Sequence, residues 1–486
     1  MRASRWARFC EHVTDPLELR DEMERALALA ASGSAEYVGM LREDPVLSHE
    51  AEDVAGSAAG DLPEDGDGAL VAVAELLELA NRGATRSSGP RFFHFVMGGT
   101  TPASLAADWL TSALDQVAYS WASSPLASAM ERLSIEWLRQ LFELPEGHGG
   151  VLTTGATMAN FAGLAAARTW WAEQQGADVD EQGLSGLPAP AVLTSGYVHP
   201  SAVQAIGMLG MGRSNVRRLE RDGVGRLDLE RLERELAELD GTPAIVIANA
   251  GEVNGGDFDP IAATADLADR HGAWLHVDGA FGLFARLAPE SRHLTEGVER
   301  AHSVAADGHK WLNVPYDCGF AFVREPDRLA SAFAVGAPYL AYREDRPNPG
   351  FLSPENSRRA RAFAVWATLR AYGRSGYRAM VERHLALARH LAARIDDAAE
   401  LERLADVRLN IVCFRIRPAG VDEEELDGLN RRLGEALLRY GEVFAGTTVY
   451  DGKVAFRPAI VNWQTTERDV DTLIDVLLEL VRAETS

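Results

Sequence analysis

Ala305-Ala306-Asp307-Gly308-His309-Lys310-Trp311 holds one of only two lysines in the 486-residue chain, the other being Lys453. Arginine carries the remaining positive charge. Arginine stays protonated, whereas a desolvated lysine can lose its proton and condense with an aldehyde. A lone lysine after a histidine, just past an apolar strand, points to chemistry rather than to a solvated surface charge. Thirty-two residues before Lys310 stands Asp278, in Leu275-His276-Val277-Asp278-Gly279-Ala280. This is a second apolar strand, and it ends in a carboxylate.

Outward from these stretches, composition narrows the function. With 47% hydrophobic residues the chain can bury a large core, and its length suggests roughly two or three domains. The net charge of -24 repels phosphate backbones and anionic lipid, which argues against nucleic-acid and membrane roles. Cys10, Cys318 and Cys413 lie far apart, with no ligand or disulfide spacing, as expected of a reducing compartment. No apolar run follows the charged N-terminus. The expectation is a cytoplasmic protein.

Taken in order, residues 15–42 read as a helix, with Asp15-Pro16 as start signal. Residues 51–68, small and acidic with several glycines, read as a loop, and 69–81 as a helix. This arm is too thin to bury its own core and is expected to pack on something else, such as a second subunit. Aromatic residues and glycines then run from Gly89 to Gly99, and Pro102 opens a helix. Phe92, Phe93 and Phe95 fit either core packing or an aromatic pocket lining. Trp121-Ala122-Ser123-Ser124-Pro125 is a loop of mostly small side chains.

From Gly150 the pattern becomes strand and helix in alternation. Apolar runs at 191–194, 244–248, 274–277 and 319–323 imply a mainly parallel sheet covered on both faces. Residues 176–190 read as a loop. A long helix runs past Arg370, and strands at Asn410–Ile416 and Val454–Arg457 suggest a smaller α+β domain. The expected division is 1–88, 89–370 and 371–486.

Within this frame, Thr153-Thr154-Gly155-Ala156-Thr157 opens a helix from Met158. It is either an anion site built on backbone N–H groups or an ordinary turn capped by Thr157. His199, after the strand at 191–194, is either structural or placed to lie on a flat ring. Asp278 ends a buried strand and needs a cation; a protonated pyridine nitrogen would supply one. An aspartate and a lysine at the ends of strands in one sheet therefore suit pyridoxal phosphate. Gly207-Met208-Leu209-Gly210-Met211-Gly212 mimics a dinucleotide loop but does not follow a strand. His271, His276 and Asp278 have no third partner at metal-ligand spacing, so no metal is expected.

The ordered set Thr153–Thr157, His199, His276–Ala280 and Asp307–Trp311 resembles the group II pyridoxal-phosphate-dependent amino-acid decarboxylases, which include the aromatic-amino-acid, glutamate and diaminobutyrate enzymes. Arg91-Phe92-Phe93, Ser120–Pro125 and Ser357-Arg358-Arg359 extend the likeness from about Arg91 to Arg370. The resemblance implies an α/β fold of the aspartate-aminotransferase type (fold type I), with an N-terminal helical arm and a small C-terminal α+β domain. It also implies a homodimer with active sites at the subunit interface. By the same resemblance, Lys310 forms an imine with the cofactor and Asp278 holds the pyridine nitrogen. His199 and Ala280 flank the ring, and Ala156, Thr157 and His309 surround the phosphate. Phe92, Phe95 and Trp121 are candidate substrate contacts.

Some positions depart from the family pattern. Gly251-Glu252-Val253-Asn254 stands where many members have threonines, and Asp307-Gly308 where Asn-Pro is usual. Asp307 beside a phosphate is unfavourable unless it points away or bonds a donor. The family's loop tyrosine aligns near Pro349, with Tyr339 and Tyr342 upstream. Loss of that acid would open a route to oxidative deamination and an aldehyde product. Other reactions of the same cofactor, or a silent scaffold, are the remaining rivals to decarboxylation.

Overall fold

The computed structural model describes residues 20–58, 60–334 and 346–485. The arm is α1 (Met23–Gly39), α2 (Ala51–Ser57) and α3 (Ala69–Gly83). Residues 15–19 of the expected first helix lie outside the described residues. The segment 51–68, expected to be a loop, begins instead with α2. Ala51 and Val54 are buried on its inner face, and a Cβ on Gly83 would sit 2.8 Å from Val54. Burial against the end of α3 thus orders a piece too short to register by periodicity. α1 buries no residue and α3 only Leu70.

Next come α4 (Pro102–Leu114) and α5 (Pro125–Leu141). Each has proline in its first turn and a hydroxyl cap, Thr101 accepting from the Ser104 N–H and Ser124 from that of Ala127. The alternating region follows: β1 (Gly149–Thr153), α6 (Ala156–Gln174), α7 (Val179–Gln182), β2 (Ala191–Thr194), α8 (Pro200–Met208), β3 (Val216–Arg218), α9 (Leu229–Glu238), β4 (Ala244–Asn249), α10 (Ile261–His271), β5 (Trp274–Asp278), β6 (Ser303–Asp307) and β7 (Gly319–Val323). The expected loop 176–190 contains α7, which buries Val179. The Gly207–Gly212 stretch falls at the end of α8 and the turn after it, away from any strand end.

The seven strands are ordered β1-β7-β6-β5-β4-β2-β3. All pairs are parallel except those of β7, which is antiparallel to both neighbours. This is the mainly parallel α/β sheet expected. The inner strands bury every residue, so they read as apolar runs rather than alternations. Alternate side chains still part between the faces. Ala244, Val246 and Ala248 of β4 join one core, and Ile245 and Ile247 join the other.

The chain closes with α11 (Asp327–Phe333), α12 (Ala362–Asp396), β8 (Leu401–Arg403), β9 (Phe414–Ile416), α13 (Glu423–Tyr440), β10 (Thr447–Tyr450), β11 (Lys453–Phe456) and α14 (Glu467–Thr485). The last four strands form an antiparallel sheet, β10-β11-β9-β8. The strand expected over 410–416 is confined to 414–416. α12 spans the two sheets and kinks at Gly373, whose φ of 58° suits only glycine.

His384 of α12 links the parts. Its Nδ1 accepts the Trp311 indole N–H at 2.8 Å, and its Nε2 donates to the Asn462 carbonyl at 2.9 Å. This arrangement demands the neutral ring, and burial lowers its pKa to about 3. His276 of β5 is likewise lowered by burial, to about 4. Unfolded, both rings take up a proton below about pH 6.5. Their contribution is complete above that value and is lost as pH falls toward 4. Calorimetry is therefore expected to show a melting temperature that drops over this range. His384→Gln, which keeps both hydrogen bonds, should flatten the drop; equal slopes for both proteins would contradict the assignment.

Candidate active site

The site forms where β5 and β6 end together. Asp278 pairs with Ala305 in register. Beyond the strands, the Gly279 N–H donates to Ala305 O and the Asp307 N–H to Ala280 O, both at 2.9 Å. This stitching carries Lys310, three residues past β6, to the side of the sheet where Asp278 emerges. The Gly98 N–H reaches the His309 carbonyl at 3.2 Å. A Cβ on Gly98 would lie 1.7 Å from the Lys310 carbonyl oxygen, so only glycine permits this approach.

Asp278 is 6% exposed and has no cationic partner among the described residues. Its Oδ2 accepts from Asn160 Nδ2 at 2.9 Å and its Oδ1 from the Ala280 N–H at 3.1 Å. Since the Asn160 amide faces the carboxylate with its nitrogen, its oxygen faces His276 Nε2, 2.9 Å away. His276 therefore carries its proton on Nε2, and its Nδ1 accepts from Ser303 Oγ at 2.8 Å. The Trp274 indole donates to the same hydroxyl at 3.0 Å. A directed chain thus runs from Trp274 through Ser303, His276 and Asn160 to Asp278. Both nitrogens of His276 are engaged within it. Gly163 leaves room for the ring, since a Cβ there would stand 3.0 Å from it.

Asp307 does bond donors. One oxygen accepts the Ala156 N–H at the start of α6 and lies 3.3 Å from His309 Nε2. The other is 3.0 Å from Lys310 Nζ. Lys310 Nζ also stands 5.9 Å from the centre of the Phe281 ring. Thr157 is the second residue of α6, beside these groups. Tyr316 stacks on His309 with ring centres 4.1 Å apart.

His199 caps α8. Its Nδ1 accepts the Ser201 N–H at 3.2 Å and sits 2.7 Å from Ser201 Oγ. The proton of a neutral ring is therefore on Nε2. Burial holds its pKa below the ordinary histidine value. Asp278 opposes that shift, while Lys310 reinforces it. The field of Arg457 also reaches His199. Arg457 Nη1 is buried without a hydrogen-bond partner, and burial lowers the pKa of its guanidinium.

The remaining sequence candidates are more scattered. Phe92 is buried and stacks on Phe444, with centres 5.1 Å apart. Phe93 belongs to the small-domain core. Phe95 is 58% exposed. Trp121 is half-buried, its backbone N–H donating to Asn348 Oδ1 at 3.0 Å. Pro349 opens a buried turn, and Tyr339 and Tyr342 lie outside the described residues. Glu252 is buried and caps its own turn, accepting from the N–H groups of Asn254 (2.8 Å) and Gly255 (2.7 Å). A cavity of 780 Å³ lies apart from Lys310, lined by residues including Arg226, Asp257 and Arg408. Its charges largely satisfy one another, Asp257 pairing with Arg226 at 3.0 Å and Arg408 at 3.2 Å.

Sequence reading missed Asn160 and Arg457. Asn160 is a single asparagine in an alanine-rich helix, one turn after the glycine-containing loop. Arg457 passed as the end of a strand.

Comparison with known proteins agrees with this geometry. Residues 59–417 match the family model described as the pyridoxal-dependent decarboxylase conserved domain. The chain is 30% identical to tryptophan decarboxylase 1 of Oryza sativa subsp. japonica over 414 residues, 80% of each protein. It is 32% identical to the acidic amino acid decarboxylase GADL1 of Mus musculus over 417 residues, 82% of this chain and 75% of that one. The crystal structure of Oryza sativa TDC with PLP and tryptamine aligns with a TM-score of 0.88 at 27% identity, over 96% of this chain and 99% of that one.

Asn160→Ala would leave Asp278 Oδ2 and His276 Nε2 unpaired in the interior. Each orphaned group costs about 1–3 kcal/mol. Denaturant unfolding should show a loss of about 2–6 kcal/mol; a loss below about 0.5 kcal/mol, the size of an ordinary surface change, would dismiss the chain of bonds.

Proposed function

The chain belongs to the pyridoxal-dependent decarboxylase family, and from that premise we propose how its residues remove carbon dioxide from an amino acid. It is a pyridoxal-phosphate-dependent amino-acid decarboxylase, a carboxy-lyase. The bound cofactor supplies an aldehyde and a ring that accepts the electron pair of the breaking bond. The observation that carries the assignment of roles is the convergence of Lys310 and Asp278 at the ends of neighbouring strands.

Lys310 is the amine that carries the aldehyde. Asp278 holds the proton on the ring nitrogen: it is a buried carboxylate with only neutral donors, and a pyridinium N–H completes its charge balance. Asn160 keeps that carboxylate turned to the site. His199 and Ala280 would flank the ring. Thr157 and His309 hold the phosphate; Ala156, expected with them, has given its N–H to Asp307. Arg457, with a buried and unpartnered nitrogen, takes the substrate carboxylate.

The side-chain pocket is read as apolar or aromatic, on Phe92, Phe95 and Trp121. Phe95 and Val96 both have positive φ, 56° and 62°, a strained pair of the kind found at binding sites.

The protein works as a homodimer. Met23 and Leu27 of α1, Leu76 of α3 and Trp109 and Leu110 of α4 present exposed apolar side chains that a second subunit would cover. The arm (1–88) serves this contact, with the cofactor domain at 89–370 and the small domain at 371–486. Among the described residues no helix is long and apolar enough to cross a membrane. The acidic composition and the free thiols of Cys318 and Cys413 support a cytoplasmic setting.

Incubation with a panel of amino acids should yield amine and carbon dioxide in equal amounts. Aldehyde with hydrogen peroxide in place of amine would overturn this in favour of oxidative deamination. Lys310→Ala should abolish both the imine absorbance and turnover. Arg457→Gln should raise KM about 10- to 100-fold, the worth of a charged hydrogen bond; an unchanged KM would remove Arg457 from substrate binding. Sedimentation should find twice the 52.7 kDa chain mass; a monomer that retains full activity would defeat the dimer reading.

A further inference from the structure

Among the described residues, Asp307 is the one acid that Lys310 touches. It is 3% exposed, yet three groups converge on it: Lys310 Nζ at 3.0 Å, His309 Nε2 at 3.3 Å and the Ala156 N–H. We propose that Asp307 is a positioning residue for the nucleophile: its carboxylate is the counter-ion that holds the Lys310 amine against the start of α6 and restrains its reaction with an aldehyde. The proposal rests on Lys310 being the amine that carries the cofactor.

The charge is present at neutral pH. Burial pushes the Asp307 carboxyl up, but Lys310 and then His309 outweigh it, and the group stays below its ordinary value. The surroundings offer little other compensation. Asp278, on the neighbouring strand, is a second acid. His199, on α8, is held below the usual histidine range, with burial the largest cause. Tyr316, stacked on His309, and Cys318 are both pushed up to about 12, chiefly by burial. Arg457 is felt at His199 but makes no ion pair with Asp307. Lys310 is thus the principal cation facing Asp307.

Condensation with an aldehyde needs the neutral amine. The ammonium must first give up a proton; nitrogen then attacks the carbonyl carbon, and the carbonyl oxygen departs as water. The carboxylate 3.0 Å from the nitrogen holds the amine in place, and that contact must break before the nitrogen can turn to a carbonyl carbon. Asparagine at 307 keeps the shape and can still accept the Ala156 N–H, but it removes the charge.

The two-lysine composition makes the test direct. The full-length chain, freed of cofactor, is treated at neutral pH with formaldehyde and cyanoborohydride, which methylate neutral amines. Mass spectrometry then quantifies Lys310 and Lys453, the second serving as internal reference. Asp307→Asn should speed methylation of Lys310 about tenfold, equivalent to the loss of about 1.4 kcal/mol of contact with the carboxylate, with Lys453 unchanged. Asp307→Glu should stay near the wild-type rate. Equal Lys310 rates in wild type and Asp307→Asn would overturn the proposal, because a carboxylate that merely capped α6 predicts that result. Should Asp307→Asn fail to fold, Asp307→Ser carries the same comparison. Borohydride reduction of the loaded wild-type enzyme separates the premise from the proposal: it should tag Lys310, and a tag on Lys453 would overturn the role of Lys310 itself.

Discussion

The in-register parallel pairing of β5 with β6 is the constraint on which the site depends. Asp278 and Asp307 are the last residues of neighbouring strands, and two backbone hydrogen bonds beyond the strands keep their continuations together. Lys310 then needs no reach of its own to enter the region that Asp278 faces. A slip of one residue in this pairing would turn Asp278 toward the opposite face of the sheet. The full burial of both strands opposes such a slip, because it would repack two hydrophobic cores at once.

The two acids are stabilised in different ways. Asp307 sits in an ion pair and accepts a helix N–H, so its charge is balanced by the protein. Asp278 receives only neutral donors, one from Asn160 and one from the chain. That imbalance leaves Asp278 able to take a cationic partner, the role proposed above for a protonated ring. It also explains the length of the chain behind Asn160. A carboxylate held by a single flexible amide could rotate, whereas His276, Ser303 and Trp274 leave that amide one orientation.

The small domain participates rather than merely flanks. His384 joins the indole next to Lys310 to the Asn462 carbonyl. Asn313, three residues past Lys310, donates to the Val461 carbonyl at 3.0 Å. Arg457 projects from the same C-terminal region, with a field that reaches His199. The lysine loop is therefore held between two sheets.

By itself the sequence determined a mainly parallel sheet, through largely apolar runs at 191–194, 244–248, 274–277 and 319–323. It also singled out Asp278 and Lys310, because a buried acid and a lone lysine are chemical anomalies visible without coordinates. Only the tertiary structure decided the antiparallel course of β7, the helix at 51–57, the donors around Asp307, the contact of Asn160 with Asp278 and the burial of an Arg457 nitrogen. The reason is distance along the chain. Periodicity reports which face a residue turns inward. Asn160 meets Asp278 across 118 positions and Ala156 meets Asp307 across 151, and no local pattern encodes which polar group will be waiting there.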